Sequence, residues 1–189
     1  MNLSPSPSDK ILQIIGQLSG LTKIPIQNGW RLPQFNAELA PLNDKGYITW
    51  EKGRKVQSLL QKIIIPRDLN GYPLEGLSLR MGLTWWAENA KIYVNNQLVQ
   101  EGDLFDSSAR ILLTNSAYYN QEITINIRLV SPQHDIGGLM KSYLVYESSD
   151  AGIDPQFVAD ELTVLYNYIK AFEPEKLEQL ADSLSLINW

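Results

Sequence analysis

The sequence predicts a mainly β protein, an antiparallel β-sandwich or jelly roll with a short helix before it and two helices after it. Three observations favour this fold class. Residues 77–86 and 122–129 alternate apolar and polar side chains, and a period of two buries one face of a β-strand. Turn residues divide the central region into short segments without helical periodicity between them. Helical periodicity is found instead towards the two ends of the chain.

Eight strands are predicted in the central region. Their segments are residues 47–50, 56–65, 77–86, 91–94, 97–100, 109–113, 122–129 and 141–146. A parallel sheet would need crossover helices between such strands, so their close spacing favours a sandwich or jelly roll. Residues 21–45 contain Pro25, Gly29, Pro33 and Pro41 and have poor periodicity, which predicts a loop or edge segment over the core.

The N-terminal region is predicted to be a flexible leader followed by a short helix. Residues 2–8 are rich in proline and serine, which is typical of a leader. Ser8 is a candidate N-cap for the helix and Gly20 a candidate stop. One face of this helix would be apolar, consisting of Ile11, Ile14, Ile15 and Leu18.

Two further helices are predicted at the C-terminal end. Asp154 is a candidate N-cap, because Pro155 follows it at the first helical position. Apolar residues then recur at helical spacing, at Val158, Leu162, Leu165, Ile169 and Phe172. Pro174 begins the second helix, whose apolar side would carry Leu177, Leu180, Leu184 and Ile187. The exposed apolar face expected here suggests that another domain follows or docks.

These patterns divide the chain into three predicted parts. Residues 1–20 would form the leader and short helix, residues 21–148 the β-sandwich domain, and residues 149–189 a helical linker. Within the sandwich, Asn95 and Asn96 lie between two short strands. Asn is one of the few residues that tolerates the positive φ of a type I′ turn, so this pair is predicted to build a tight hairpin rather than a site.

Length and charge limit the possible functions. The chain has 189 residues and a net charge of -5, and it contains no cysteine. The segment 147–189 is acidic, and no basic patch indicates a nucleic-acid partner. No apolar run approaches the roughly 20 residues that span a bilayer, and no signal peptide is visible. A cytoplasmic protein without a membrane or nucleic-acid partner is therefore expected.

Catalytic motifs are missing from the sequence. Phosphate-binding glycine loops and nucleophile-elbow serines do not occur. His134 is the single histidine, so a zinc site would need carboxylates for its other ligands, and a polar loop is the simpler interpretation. Glu101, Asp103 and Asp106 follow the hairpin closely. They could bind calcium, act as an acid/base pair, or form a solvated flank of the hairpin. No catalytic residue and no metal site is assigned.

Aromatic residues are the remaining candidates for a functional surface. Trp85 shares the register of the core residues of its strand, so Trp86 is predicted to point to the opposite, polar face. A loop, a partner domain or a sugar ring would have to cover it there. Other aromatic residues near loops could join it, namely Trp30, Trp50, Tyr118 and Tyr119. The candidate carbohydrate or interdomain surface thus consists of Trp86, Trp50, Trp30 and Tyr119.

Several quoted segments, taken in their order, resemble a known family. Three segments resemble the galactose-binding-like β-sandwiches that accompany glycoside hydrolases, namely IIIP, LSLRMGLTWWAENAKIYVNNQLVQEGDLFD and ITINIRLVSP. Together with WRLPQFNAELAPLNDKGYITWEKGRKVQ they are similar to the amino-terminal region of bacterial, especially cyanobacterial, α-mannosidases of glycoside hydrolase family 38. The similar region covers residues 29–187. Where such sandwiches usually have Val-Asn-Gly in the hairpin, this chain has Asn96 in place of the glycine.

The resemblance implies a non-catalytic role. Members of that family hydrolyse α-mannosides with retention, using zinc held by histidine and aspartate in a catalytic domain that would begin after Trp189. This chain has no matching motif, so no cofactor is expected in it and zinc is expected in the absent domain. The chain would pack on that catalytic domain and could shape the cleft for mannose-containing glycans. An autonomous carbohydrate-binding module is the alternative, and a small hydrolase built on Glu101, Asp103 or Asp106 is a third hypothesis.

Overall fold

Two antiparallel sheets and three helices make up the protein. The structure is a computed structural model that describes residues 5–34, 36–148 and 154–187. The helices are α1 (Pro7–Gly20), α2 (Pro155–Phe172) and α3 (Leu177–Ser185), and single turns of 3₁₀ helix lie at Gln27–Gly29 and Pro174–Lys176. The strands are β1 (Lys23–Pro25), β2 (Arg31–Leu32), β3 (Glu38–Leu39), β4 (Ile48–Trp50), β5 (Val56–Ile64), β6 (Asp68–Leu69), β7 (Tyr72–Pro73), β8 (Ser78–Trp86), β9 (Asn89–Val94), β10 (Gln97–Gly102), β11 (Ser108–Thr114), β12 (Glu122–Val130) and β13 (Gly137–Glu147).

The sheets form a sandwich, which confirms the predicted fold class. Sheet I has the strand order β1-β13-β8-β11, and β4 pairs with the other half of the same β13 edge. Sheet II has the order β10-β9-β12-β5-β2-β3, and β6 and β7 form a separate small hairpin. All eight predicted strands are present within a few residues of their predicted ends. The predicted edge segment supplies β1 to sheet I and β2 and β3 to sheet II.

The core lies between the two sheets, and alternate residues of long strands such as β12 supply much of it. Ile48, Leu139 and Trp85 stand side by side across β4, β13 and β8, and all three are buried. The facing side chains of sheet II include Ile92 and Ile127, which are paired in register and also buried. Each such side chain contributes roughly 1.5–3 kcal/mol when it is removed from water, which explains why the longest alternating runs became central strands.

The three helices form a second, smaller core, here called the helix cluster. Its buried residues are Ile11 of α1, Tyr166 of α2, and Ala181 and Leu184 of α3. In addition, the Ser19 hydroxyl donates to Oε1 of Gln156 at 2.8 Å. The N-terminal helix is thus packed against the two C-terminal helices, although they are more than 130 residues away in sequence.

The prediction of which side of α2 is buried was partly wrong. Leu165 and Phe172 are exposed, whereas Gln156, Ala159 and Tyr166 are buried. The small Ala159 lies on the face that packs against the other helices, and the hydrogen bond to Ser19 makes Gln156 acceptable there. Apolar periodicity alone therefore identified the helix but chose a stripe rotated away from the buried one.

Helix α1 begins earlier than predicted. Ser6, not Ser8, is the N-cap, since its hydroxyl accepts from the Asp9 amide at 3.2 Å and its own amide donates to Oδ2 of Asp9 at 3.1 Å. This reciprocal pair is a capping box, and Pro7 occupies the first helical position, where its missing amide proton costs nothing. The last two residues of the predicted leader, Pro7 and Ser8, therefore belong to the helix. Asp154 is the N-cap of α2, as predicted, and accepts from the Phe157 amide at 2.7 Å.

The Asn95-Asn96 hairpin has the predicted backbone. The φ angles are 48° at Asn95 and 66° at Asn96. The Asn95 side chain has a further role, because its Oδ1 accepts from the Thr124 amide at 2.9 Å and so joins the turn to β12.

The predicted boundary between the sandwich and the helical part lies between residues 148 and 149. Residues 149–153 lie outside the described ranges, and so does Trp189. No helix in the described part of the chain is long and apolar enough to cross a membrane.

Candidate functional site

Trp86 lies on the outer surface of sheet I, which confirms the predicted side of its strand. Trp85 is fully buried in the core, and Trp86, the next residue, is 38 % exposed. Register places Trp86 opposite Gly138, and Gly138 opposite Thr49. These three residues form one row across β8, β13 and β4, with a glycine in the middle.

A cleft opens above this row. Its volume is about 420 Å³, and it is referred to here as the Trp86 cleft. The polar and aromatic residues that line it are Asn43, Asp44, Lys45, Tyr47, Thr49, Trp86 and Asp135. A Cβ atom on Gly138 would meet its nearest neighbours, Met140 Cγ and the Ile48 carbonyl, only at 3.9 and 4.0 Å. The glycine therefore leaves an open floor between Thr49 and Trp86.

Hydrogen bonds hold both walls of the cleft. On one side, Oδ1 of Asn43 accepts from the amides of Lys45 at 2.9 Å and Tyr47 at 3.0 Å. On the other side, Oδ2 of Asp135 accepts from the indole Nε1 of Trp86 at 3.0 Å, and its Oδ1 accepts from the Ile136 amide at 2.8 Å. The indole ring is thus fixed by its edge while part of its surface stays open to solvent.

The charge and polarity of the cleft indicate which ligands it suits. Asp44 and Asp135 bring two carboxylates, and Lys45 brings one ammonium group. Amide, hydroxyl and carboxylate oxygens around an aromatic ring can bind a ligand that has many hydroxyl groups and one apolar face. An anionic ligand would meet two like charges, so a neutral ligand fits better.

The other two proposed site tryptophans point into the protein. Trp30 is completely buried, and its Nε1 donates to the Ser142 hydroxyl at 2.8 Å, so its prediction as a surface residue was wrong. Trp30 lies where the chain passes from β1 of sheet I to β2 of sheet II, and its position near prolines gave no sign of this. Trp50 is half-buried on the core side of β4, where its ring covers Gly137 and its Nε1 donates to the Lys55 carbonyl at 3.1 Å. Neither ring lines the Trp86 cleft.

Tyr119 is exposed, but it lies at the other end of the sandwich. Its loop is fixed near the beginning of β8, where the Ala117 amide donates to the Leu77 carbonyl at 2.7 Å, whereas Trp86 ends β8. A strand of this length spans roughly 25–30 Å at ~3.3 Å per residue. The guanidinium of Arg67 stands over the Tyr119 ring, 5.5 Å from its centroid. The four candidate residues therefore do not form one surface.

Most of the residues around Trp86 were not predicted from the sequence. Asn43, Tyr47 and Asp135 come from two segments about 90 residues apart. The turn around Gly46, with a φ of 76°, and the adjacent Gly137 and Gly138 were visible as local signals. Nothing in the spacing showed that β13 would bring them together, because that depends on strand order.

The carboxylates after the hairpin are engaged in local structure. Glu101 forms an ion pair with Lys91, with 2.9 Å between Oε1 and Nζ. Oδ1 of Asp103 accepts from the amides of Phe105 at 2.7 Å and Asp106 at 3.1 Å, and these backbone hydrogen bonds lower the pKa of Asp103 from its usual 3.8. A carboxylate held ionised in a turn is poorly suited to act as a general acid. His134 is exposed in a loop, and no group of three or more potential metal ligands occurs within the described ranges.

Comparison with known proteins finds similarity among solved structures. No protein-family model matches the chain, and no curated protein sequence matches it. Among solved structures, it is similar to a β-glucuronidase from Bacteroides uniformis (13 % identity, TM-score 0.49, 66 % of this chain and 18 % of that one). It is also similar to an FMN-binding β-glucuronidase from Faecalibacterium prausnitzii (17 %, 0.48, 68 % and 23 %). A glycosyl hydrolase family 2 member from Bacteroides cellulosilyticus gives 11 % identity, a TM-score of 0.47, and coverage of 68 % and 21 %.

The chain spans less than a quarter of the length of these three enzymes. At these identities the similarity concerns the fold alone.

Proposed function

We propose that this chain is a non-catalytic β-sandwich domain of a glycoside hydrolase and that it contacts glycan through the Trp86 cleft. The observation that carries the proposal is the fixed, partly open indole of Trp86 above a glycine floor, with hydrogen-bonding groups on both walls. A pyranose has the matching properties, since its C–H face packs on an aromatic ring and its hydroxyls meet the polar rim. A binding role fits better than a catalytic one because Glu101 and Asp103 are occupied by an ion pair and a turn.

The finer form of this proposal is an α-mannosidase of glycoside hydrolase family 38. It rests on the resemblance of the quoted segments. In that form the zinc site belongs to the catalytic domain of the same polypeptide, the ligand is a mannose-containing glycan, and the protein is cytoplasmic. The pure chain, with zinc added, should then fail to hydrolyse a nitrophenyl α-mannoside, whereas a polypeptide that includes the catalytic domain should hydrolyse it. Turnover by the chain alone would contradict the proposal.

Calorimetric titration with mannose oligosaccharides tests the glycan contact directly. Trp86→Ala should weaken binding by about tenfold or more, which corresponds to about 1.4 kcal/mol. Tyr119→Ala is the matched control, because it removes an exposed aromatic ring at the far end of the sandwich and should leave the affinity unchanged. Equal binding by wild type and Trp86→Ala would refute the cleft as the glycan site.

Packing against the catalytic domain is a second candidate role, and it has its own supporting observation. The outward side of α2 carries an exposed apolar stripe, formed by Phe157, Val164, Leu165, Tyr168 and Phe172. Such a stripe is unusual on a free helix and is typical of a contact surface. Amide hydrogen exchange would distinguish the roles. If the catalytic domain covers the stripe, the amides of α2 should exchange more slowly in the longer polypeptide than in the isolated chain.

A further inference from the structure

A second depression lies on the other side of the sandwich, on the outer surface of sheet II. Its volume is about 270 Å³. The residues that line it are Ser58, Tyr93, Asn96, Asn126, Ile127 and Arg128. Register places Tyr93 next to Asn126, and Arg128 next to Ser58, so strands β9, β12 and β5 each contribute to it. It is called the Tyr93 depression below.

The polar side chains of this depression have free hydrogen-bonding capacity. In the described part of the chain, the Tyr93 hydroxyl, the Asn126 amide, the Ser58 hydroxyl and the Arg128 guanidinium form no side-chain hydrogen bond with other protein groups. By contrast, Asn95 in the neighbouring turn uses its side chain to bind Thr124. The groups in the depression are therefore available to a ligand, and no role in holding the sheet occupies them.

The charge of the depression is positive, because its neighbours neutralise one another. Lys62 pairs with Glu122 at 2.7 Å, and Lys91 pairs with Glu101 at 2.9 Å. The pKa of Lys91 is raised, chiefly by its hydrogen bond with Glu101. Arg128 has no carboxylate partner within the described ranges. One uncompensated guanidinium thus faces the open depression of a chain whose net charge is -5.

We propose that the Tyr93 depression binds an acidic sugar, a pyranose that carries a carboxylate. The guanidinium of Arg128 presents the planar fork of donors that a carboxylate accepts in bidentate fashion. The Tyr93 ring packs on the apolar face of the sugar, and Asn126 and Ser58 bind its hydroxyls. This site lies on the opposite sheet from the Trp86 cleft, whose two carboxylates disfavour an anion. The two surfaces therefore select ligands of different charge.

Calorimetry with a tetragalacturonate, and with mannotetraose as the neutral comparison, tests this site. The wild-type chain should bind the tetragalacturonate, and Arg128→Gln should weaken that binding at least tenfold. Arg128→Lys should restore only part of the affinity, because it returns the charge without the fork. Tyr93→Ser should also weaken binding, and melting temperatures of all variants should stay near that of the wild type, since these side chains are on the surface.

Two controls make the result specific. Arg67→Gln removes the same charge from an exposed position outside the depression and should leave tetragalacturonate binding unchanged. Trp86→Ala should also leave it unchanged, so failure of this site and failure of the Trp86 cleft can be told apart. The proposal is overturned if the wild-type chain does not bind tetragalacturonate, or if Arg67→Gln and Arg128→Gln weaken it equally. It is also overturned if Tyr93→Ser has no effect.

Discussion

The sandwich and the helix cluster differ greatly in the size of their cores. Among the described residues, the apolar core between the two sheets comprises twenty-five buried side chains, whereas the apolar core shared by the three helices comprises four. Strand pairing joins distant parts of the sequence within the sandwich, because β1 (Lys23–Pro25) pairs with β13 (Gly137–Glu147). One link between the helix cluster and the sandwich is the hydrogen bond from Nδ2 of Asn70 to the Gly20 carbonyl at 3.0 Å.

This difference suggests different roles for the two regions. Both candidate ligand surfaces lie on the outer faces of the sheets, where the backbone beneath is fixed by paired strands. The helix cluster has a small core and an exposed apolar stripe, so we expect it to open locally at a lower free energy than the sandwich. A partner that covers the stripe would add the burial that the cluster lacks. Four measurements would sharpen or break this comparison.

The largest effect is expected from a cavity in the sandwich. Trp85 is fully buried and its Nε1 donates to the Asp103 carbonyl at 3.4 Å, so Trp85→Ala should lower the free energy of unfolding by about 3–5 kcal/mol. Trp86→Ala, at the adjacent and partly exposed position, should cost far less. Urea denaturation followed by circular dichroism measures both. Similar losses for the two variants would show that the assignment of core and outer face is mistaken.

A cavity in the helix cluster should act locally. Ile11 is fully buried between the helices, and Ile11→Ala should destabilise the cluster by about 2–5 kcal/mol. Because the sandwich has its own core, amide exchange should accelerate in α1, α2 and α3 while the sheet amides keep their protection. Leu12→Ala, at an exposed position of α1, is the control and should change little. Faster exchange throughout both sheets would show that the two regions unfold together.

The hairpin turn should show a smaller effect within the sandwich. Asn95→Ala places alanine at positive φ and removes the hydrogen bond to Thr124, which together should cost about 2 kcal/mol. Asn96→Gly removes the steric cost of positive φ at this position and leaves the hydrogen bond between Asn95 and Thr124 intact. It should therefore be neutral or slightly stabilising. Thermal unfolding of the two variants tests this contrast. If both variants lose the same amount of thermal stability, the cost does not come from the backbone conformation of the turn.

The smallest effect concerns the capping box of α1. Hydrogen bonds from Ser6 lower the pKa of Asp9 from its usual 3.8. Because the pKa of Asp9 is lower in the folded state, its ionised carboxylate stabilises the fold when the pH is above the pKa of the unfolded state. This contribution is lost as the pH falls through the pKa of the folded state. Asp9→Asn should therefore weaken the helix cluster slightly at pH 7, measured by exchange of the α1 amides. The difference from wild type should disappear well below pH 3.8; its persistence there would contradict the assignment.

Local patterns in the sequence determined the fold class and the long strands. A period of two is read directly from neighbouring residues, so β5, β8 and β12 could be predicted almost to the residue. The same holds for the Asn95-Asn96 turn and the Asp154 cap, because positive φ and capping depend on one or two side chains. The two-residue strands escaped prediction, since their pairing partners, not their own composition, make them strands.

Only the tertiary structure decided which residues meet. Strand order places Thr49, Gly138 and Trp86 in one row, and it sends Trp30 into the core and Tyr119 to the far end. Packing among the helices buries Tyr166 of α2 and leaves Phe172 exposed. The sequence alone gives the direction of a side chain relative to its own strand or helix. Whether that side faces a core, a cleft or solvent depends on elements that are distant in the chain.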